Sequence, residues 1–266
     1  MTERYLTTMR GNVCYWMERN HNPGARWLIF LHGLTADHTL FDRQIDFFKE
    51  RYSVLVWDAP AHGQSRPYEE FTYPNAAEDL KQIMDQEAIA QAVFVGQSMG
   101  GYVIQAFLLK YADKAEAFIG IDTCPFGLNY YSKSDCWWLR QMEWMCSCYP
   151  HKLLVRAVAS GCTTTPYSYD NMLKALAPYS KKELCHLLGI GYAGFLEINQ
   201  DLEISCPVLI IVGEKDRTGK VRQYCTRWHE NTGYPIRWIT GAAHNSNADN
   251  PQAVNAAIQE FITAVN

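Results

Sequence analysis

The sequence has no large excess of charge of either sign and no long hydrophobic run. Its 266 residues include 24 Lys and Arg against 28 Asp and Glu, which gives a net charge of −4. Because nucleic acid phosphates are bound by basic surfaces, the sequence predicts no nucleic acid partner. The longest apolar runs, such as 27–31, are far shorter than the roughly 18 residues that a membrane-spanning helix needs, so no membrane span is expected.

Two further features are missing, namely an apolar signal core at the N-terminus and a complete set of zinc ligands. Without such a core secretion is disfavoured, and the odd count of nine cysteines fits reduced thiols better than paired disulfides. Cys146 and Cys148 form a C-x-C pair, but neither a second pair nor the histidine spacing typical of zinc sites follows them. We therefore expect a cytoplasmic protein without a bound metal.

Apolar, β-branched segments of strand length alternate with helical patterns along much of the chain. With 48% hydrophobic and 20% charged residues, the composition is that of a globular protein, and the length suits one α/β domain with an insertion. The alternation predicts a mostly parallel sheet with helices on both faces. The predicted strands are 12–18, 26–31, 52–57, 92–96, 116–122, 207–213 and 235–240, and the predicted helices are 38–50, 75–88, 99–112, 218–230 and 250–264.

The alternation stops between about 126 and 204, where the pattern is helical throughout. We expect 126–204 to form a helical cap over the carboxyl-terminal edge of the sheet, where open α/β sheets place their ligands. The predicted core then consists of 1–125 and 205–266. Within the cap, Tyr130, Trp137 and Trp138 are candidates for the wall of an apolar substrate pocket, and their alternative role is to pack cap helices onto the core.

A serine stands between two glycines, after an apolar run and before a helical pattern. Residues 96–100 read G-Q-S-M-G, the G-x-S-x-G pattern of a nucleophile elbow. Such a turn lifts the serine hydroxyl clear of its neighbours, and the tight backbone favours glycine at both flanking positions. The pattern makes Ser98 the candidate nucleophile. Since it also arises by chance, it requires an acid, a base and an oxyanion site elsewhere in the chain.

His244 is the candidate base. A serine hydroxyl needs a base within hydrogen-bond reach, and in a nucleophile-elbow hydrolase the acid and then the histidine follow the serine along the chain. Of the eight histidines, only His244 follows the last predicted strand. His32 and His62 precede Ser98, and the other five lie in loops, helices or the cap. The alternative for His244 is an ordinary histidine of a surface loop.

Two aspartates compete for the role of the acid. Asp216 closes the loop after the predicted strand 207–213, and one helix and one strand separate it from His244. Asp122 ends the preceding strand. The acid of a triad fixes the histidine tautomer and stabilises the imidazolium. We favour Asp216 because its loop tip adjoins the loop of His244, and Asp122 remains the alternative.

The oxyanion of an acyl-transfer intermediate requires preorganised backbone donors. One donor is expected from Met99, which follows the nucleophile at the start of a helix, where free N–H groups favour negative charge. The second is expected from Leu34, in the loop after the strand 26–31. His32, in the same loop, is interpreted as a structural residue that braces the loop.

Several short motifs together resemble the α/β-hydrolase superfamily, and the resemblance extends over essentially the whole chain. Beside the elbow at 96–101 and the His-Gly pair at 32–33, residues 58–65 read D-A-P-A-H-G-Q-S, similar to the family's turn after its fourth strand. The segment C-P-V at 206–208, followed by G-E-K-D at 213–216, resembles the strand and loop that carry the family's acid.

The resemblance implies an α/β-hydrolase fold, with a mostly parallel central sheet, helices on both faces and a helical cap inserted after strand 6. It also implies a triad of Ser98, His244 and Asp216, an oxyanion hole at Leu34 and Met99, and no cofactor. A serine nucleophile disfavours the epoxide hydrolases and haloalkane dehalogenases of the superfamily, which use aspartate at that position.

The expected activity is that of a carboxylesterase-like or lactonase-like serine hydrolase. It would cleave an ester or lactone bond of a small-to-medium apolar substrate through an acyl-enzyme on Ser98. The same triad supports carbon–carbon bond hydrolases, lyases and cofactor-free oxygenases, and a small-molecule receptor with slow turnover would also retain it. The sequence leaves the natural substrate and the oligomeric state open.

Overall fold

The structure, a computed structural model, describes residues 1–265 and is built on one eight-stranded sheet. The strands are β1 (Thr2–Thr8), β2 (Gly11–Glu18), β3 (Trp27–Leu31), β4 (Ser53–Trp57), β5 (Ala92–Gln97), β6 (Ala115–Ile121), β7 (Val208–Gly213) and β8 (Ile236–Ile239). They lie in the order β1-β2-β4-β3-β5-β6-β7-β8. β1 and β2 form an antiparallel hairpin that pairs antiparallel with β4, and β3 to β8 run parallel to one another. The predicted α/β fold with a mostly parallel sheet is confirmed.

Helices connect the parallel strands. They are α1 (Asp42–Phe48), α2 (Tyr73–Gln86), α3 (Met99–Tyr111), α4 (Lys133–Arg140), α5 (Met142–Ser147), α6 (His151–Cys162), α7 (Pro166–Leu176), α8 (Lys181–Gly194), α9 (Val221–Thr232), α10 (Ser246–Asp249) and α11 (Pro251–Ala264). The predicted helix 38–50 begins as a 3₁₀ turn, His38–Phe41, before α1. Among residues 1–265, no helix combines the length and the apolar character needed to cross a membrane.

The sheet separates two apolar layers. β3, β4, β5 and β7 are buried at every position, which explains why their sequences are continuously apolar and do not alternate. On one face α2, α3 and α9 contribute Leu80, Phe107 and Trp228 to the core. On the other face α1 and α11 contribute Phe48 and Ile258. The carboxyl ends of the parallel strands all lie at one edge of the sheet.

β1 is absent from the strands predicted from the sequence. Only Leu6 is buried among its seven residues, so the segment carries no apolar pattern. Pairing with β2 forms this strand, because the register from Thr2 opposite Met17 to Thr8 opposite Gly11 supplies its backbone hydrogen bonds. When β1 is counted, the strand that precedes the helical segment 126–204 is β6, so the segment follows the sixth strand.

Five helices, α4 to α8, lie between β6 and β7. Side chains on four of them, including Cys146, Leu154, Met172 and Leu184, form an apolar cluster with Leu40 from the core segment. Capping boxes fix the starts of α4 and α8, where Ser132 and Ser180 accept from the backbone of the third helical residue. We refer to 126–204 as the cap, and its separation as a domain stays a prediction.

Candidate active site

Ser98 occupies the sharp turn between β5 and α3. Its φ of 48° and ψ of −113° lie in a region that residues with a side chain rarely adopt. Three hydrogen bonds hold the turn: the Ser98 N–H donates to the Ile121 carbonyl at 2.8 Å, and the Ser98 carbonyl accepts from the Gly101 N–H at 2.9 Å and the Thr123 hydroxyl at 2.7 Å. The strained backbone is thus held by its surroundings, as is typical of functional turns.

The two glycines of the elbow are required by close backbone packing. A Cβ on Gly100 would collide with the Leu31 carbonyl. A Cβ on Gly96 would lie 2.6 Å from the Gly101 nitrogen and 2.5 Å from the end of the Ile104 side chain. Both contacts are shorter than real Cβ atoms show, so the packing explains the two glycines.

The structure brings Ser98, His244 and Asp216 into one hydrogen-bonded chain. His244 Nε2 lies 2.8 Å from the Ser98 Oγ, and His244 Nδ1 lies 2.8 Å from Asp216 Oδ2. In the neutral tautomer that fits both contacts, Nδ1–H donates to Asp216 and Nε2 accepts from the serine hydroxyl. Asp216 Oδ1 accepts from the Thr218 N–H at 2.7 Å, which orients the carboxylate.

Burial and the contact with Asp216 have opposite effects on the pKa of His244. Burial alone would lower the pKa of His244, but the negative charge of Asp216 and its hydrogen bond outweigh burial and raise this pKa to about 9. Conversely, burial opposes ionisation of Asp216, while the imidazolium and hydrogen bonds from Thr218 bring the pKa of Asp216 below its ordinary value. The contact between the two side chains therefore stabilises the state in which Asp216 is ionised and His244 is protonated.

Asp122, the other candidate acid, is buried close to the triad but does not bond to the histidine. Its Oδ1 accepts from the Gly213 N–H at 2.7 Å, and its Oδ2 accepts from the Ser246 N–H at 3.1 Å. Burial and the charge of Asp216 raise the pKa of Asp122 to about 8. Asp122 thus ties the end of β7 to the loop that carries His244.

The backbone N–H groups of Leu34 and Met99 are free to bind an oxyanion. Both residues line the cavity that contains Ser98. Within the described chain, neither N–H donates a hydrogen bond to another residue. His32 braces this loop, because its Nδ1–H donates to the Gly33 carbonyl at 2.8 Å and its Nε2 accepts from the Ala59 N–H at 2.9 Å.

Ser98 opens into a cavity of about 320 Å³ between the sheet edge and the cap. The lining residues are Leu34, Thr35, Ala36, Tyr73, Gln97, Ser98, Met99, Tyr102, Met142, Cys146, Leu154, Ala157, Val158, Gly161, Cys162, Met172, Leu188, Gly191, Tyr192, Arg217, Thr218, His244 and Asn245. Most of them are apolar. The volume is at the lower end of the range for small-molecule sites.

The three cap residues predicted to bind substrate do not line this cavity. Trp137 and Trp138 are 55% and 53% exposed and contact each other edge to face, with ring centroids 4.7 Å apart. Tyr130 lies beside the Arg227 guanidinium. These assignments are corrected, because α4 packs its other face, with Cys136 and Leu139, against the core. α5 to α8 supply the cap side of the cavity.

Asp249, which was not predicted as a site residue from the sequence, connects the histidine loop to the cap. Its Oδ2 accepts from the Ala243 N–H at 2.9 Å, and its Oδ1 accepts from the N–H groups of Thr164 and Thr165 at 2.9 and 3.2 Å. The carbonyl of Cys162, the last residue of α6, accepts from the Asn245 N–H at 2.8 Å. The only sequence signal was an aspartate five residues after His244.

Comparison with known proteins shows which families the chain resembles. A family model described as alpha/beta hydrolase fold matches residues 26–145. An uncharacterised hydrolase of Bacillus subtilis is 25% identical, with 97% of each chain covered. A 3-oxoadipate enol-lactonase of Acinetobacter baylyi is 25% identical, over 90% of this chain and 89% of the relative.

Solved structures share the fold. A thermophilic esterase from Thermogutta terrifontis, 20% identical, gives a TM-score of 0.81 over 100% of this chain and 99% of that chain. An enol-lactonase from Burkholderia xenovorans, 21% identical, gives a TM-score of 0.74 over 98% of this chain and 100% of that chain. The chain has the α/β-hydrolase fold, and its residues 26–145 match the model of that family. The proteins that it resembles are named as hydrolases, esterases and enol-lactonases.

Proposed function

We propose that this protein is a serine hydrolase that cleaves an ester or lactone bond through an acyl-enzyme on Ser98. The observation that carries the proposal is the continuous hydrogen-bonded chain from the Ser98 Oγ through His244 to Asp216. Such a chain converts a weakly nucleophilic hydroxyl into an alkoxide equivalent, because the imidazole takes its proton during attack.

In the acylation half-reaction, the Ser98 Oγ forms a bond to the carbonyl carbon and His244 Nε2 takes the hydroxyl proton. The N–H groups of Leu34 and Met99 bind the oxyanion. Met99 is the first residue of α3, where the helix dipole favours negative charge. The bond to the leaving oxygen then breaks, and His244 returns the proton to the departing alcohol. With a lactone, the alcohol stays attached to the acyl group.

In the deacylation half-reaction, water takes the place of the alcohol. His244 removes a proton from the water as its oxygen attacks the acyl carbon, and the Ser98 Oγ leaves with that proton. The products are a carboxylic acid and the free serine. Asp216 stabilises the imidazolium in both halves, which agrees with the raised pKa of His244.

The proposed substrate is small to medium in size, with an apolar acyl group. The mostly apolar wall and the cavity volume of about 320 Å³ support this size class. The names of the relatives, an esterase and enol-lactonases, support ester and lactone bonds as the bonds that are cleaved.

We propose a cytoplasmic location as well, and the nine free thiols support it. Cell fractionation that placed the protein outside the cytoplasm would refute this proposal.

The experiment is steady-state hydrolysis of p-nitrophenyl esters and lactones of graded chain length. Each methylene buried in the cavity should raise kcat/KM roughly three- to fourfold until the cavity is full, since a buried methylene is worth about 0.8 kcal/mol. Ser98→Ala should lose this activity, while Ser160→Ala, on the exposed side of α6, should keep it. Equal rates for wild type and Ser98→Ala would refute the proposal.

A further inference from the structure

Arg217 is the one permanently charged residue among those that line the Ser98 cavity. It follows the triad acid directly, in the segment between β7 and α9, and it is exposed to solvent. The same side chain also borders an outer groove together with Lys220 and Arg222. Arg217 therefore stands at the boundary between the reaction cavity and the surface.

The Arg217 guanidinium has no partner in the part of the chain that the structure describes. Neither a hydrogen bond nor an ion pair engages it there, whereas the two neighbouring cations are occupied. Lys220 forms an ion pair with Asp135 at 2.6 Å, and Arg222 donates to the Glu214 carbonyl at 2.7 Å. A guanidinium carries five N–H donors and no acceptor, so those of Arg217 are available to a ligand.

Among residues 1–265, no carboxylate forms an ion pair that would neutralise this charge. Asp216 accepts from His244 and from the Thr218 N–H, and Asp122 accepts from two backbone N–H groups. Tyr192 adds a second donor to the cavity, because its phenol donates to no other residue within 1–265. Apart from the triad, the cavity thus offers donors for an anion on an otherwise mostly apolar wall.

We propose that the substrate carries a carboxylate at the end remote from the scissile carbonyl, and that Arg217 binds this carboxylate. The inference rests on the proposed ester or lactone hydrolysis at Ser98. A planar guanidinium pairs with a carboxylate through two parallel hydrogen bonds, which fixes both the position and the orientation of the acid. The apolar acyl group proposed above is then a short apolar chain that ends in a carboxylate. The substrate class is the half-esters of dicarboxylic acids and the lactones that bear a carboxylate.

The test compares matched ester pairs that differ only in a terminal carboxylate. Monomethyl succinate, glutarate and adipate are compared with methyl butanoate, pentanoate and hexanoate, and proton release is followed at constant pH. For at least one chain length, wild type should show a higher kcat/KM for the half-ester than for its neutral partner. The preference should weaken as salt is added, because Arg217 is exposed to solvent.

Two variants separate the role of Arg217 from a general effect of charge. In Arg217→Gln the ratio of half-ester to neutral kcat/KM should fall about three- to tenfold, mainly through KM for the half-ester. Arg222→Gln removes the same charge from the outer groove but lies outside the cavity, and it should leave the ratio unchanged.

Two outcomes overturn the proposal. One is that wild type prefers the neutral ester at every chain length, and the other is that the two variants change the ratio equally. Either outcome leaves the proposed function intact if neutral esters are still hydrolysed in a manner that depends on Ser98. Loss of that dependence would instead refute the proposed function.

Discussion

At Ser98 a single residue accepts an unfavourable backbone conformation, and hydrogen bonds with the neighbouring end of β6 keep it there. The Ser98 N–H donates to the Ile121 carbonyl, and the Thr123 hydroxyl donates to the Ser98 carbonyl. Both partners lie at the end of β6, one strand away. The position of Ser98, the proposed nucleophile, is therefore set by the sheet, and its hydroxyl should require little reorganisation on reaction.

The two buried aspartates make different contacts, and their amide variants should differ accordingly. In Asp216→Asn the side chain no longer stabilises the imidazolium, and loss of a triad acid typically lowers kcat by about 10⁴. In Asp122→Asn the amide cannot accept from both the Gly213 and Ser246 N–H groups, so one donor is left unpaired. We expect a free energy of unfolding lower by about 1–3 kcal/mol and a much smaller loss of kcat.

Ester hydrolysis and urea unfolding of both variants provide the comparison. If Asp122→Asn loses more activity than Asp216→Asn at equal foldedness, Asp122 is the acid of the triad and the assignment is wrong.

The pH dependence of the reaction follows from the pKa of His244. Only the neutral imidazole can take the Ser98 proton, so kcat/KM should rise as the pH increases through this pKa. Asp216 raises the pKa of His244 to about 9, so the midpoint should lie above the ordinary value of about 6.5. Residual activity of Asp216→Asn should show a lower midpoint. A wild-type profile without an acid limb would contradict the role of His244.

At the scale of elements, Asp249 joins α6 and α7 of the cap to the loop that carries the base. Its carboxylate accepts hydrogen bonds from the N–H of Ala243, the residue before His244, and from the two N–H groups that precede α7. Asp249→Ala should lower kcat about tenfold and reduce the melting temperature, because the imidazole is less well positioned. Asp249→Asn, which keeps one acceptor oxygen, should show a smaller loss of kcat and a smaller decrease in melting temperature.

Asp170→Ala on the exposed surface of α7 is the matched control and should behave as wild type. Equal kcat for Asp249→Ala and Asp170→Ala would show that Asp249 has no positioning role.

Most elements around the site could be predicted because their signals are local. β5, the elbow and α3 combine an apolar run, two glycines and a helical pattern within 92–111. β1 could not be predicted, since a polar edge strand is formed by pairing with β2 and only Leu6 is buried. The roles of Trp137 and Trp138 were misjudged because the face that α4 buries depends on packing between elements far apart in the sequence.

At the scale of the whole molecule, buried neutral histidines make stability depend on pH. His62 is fully buried, and burial together with the nearby His32 lowers the pKa of His62 to about 3. In the unfolded chain a histidine takes up a proton near pH 6.5, so below that pH the unfolded state binds more protons. His62 therefore contributes stability that is present above about pH 6.5 and is lost as the pH falls towards 3.

His62→Gln should remove this contribution. Below pH 6.5, the free energy of unfolding of wild type should fall more steeply than that of the variant, by about 1.4 kcal/mol for each pH unit. Urea unfolding of both proteins at neutral and at mildly acidic pH measures the difference. Parallel pH dependences would show that His62 is protonated in the folded protein.

The central claim is that Ser98 is the nucleophile, and covalent labelling tests it most directly. A fluorophosphonate probe reacts with a serine that an adjacent base activates, and mass spectrometry locates the adduct. We expect one adduct per chain, on the peptide that contains Ser98, and no adduct on Ser98→Ala. An adduct on a different residue, or labelling of Ser98→Ala at the rate of the wild type, would show that Ser98 is not the nucleophile.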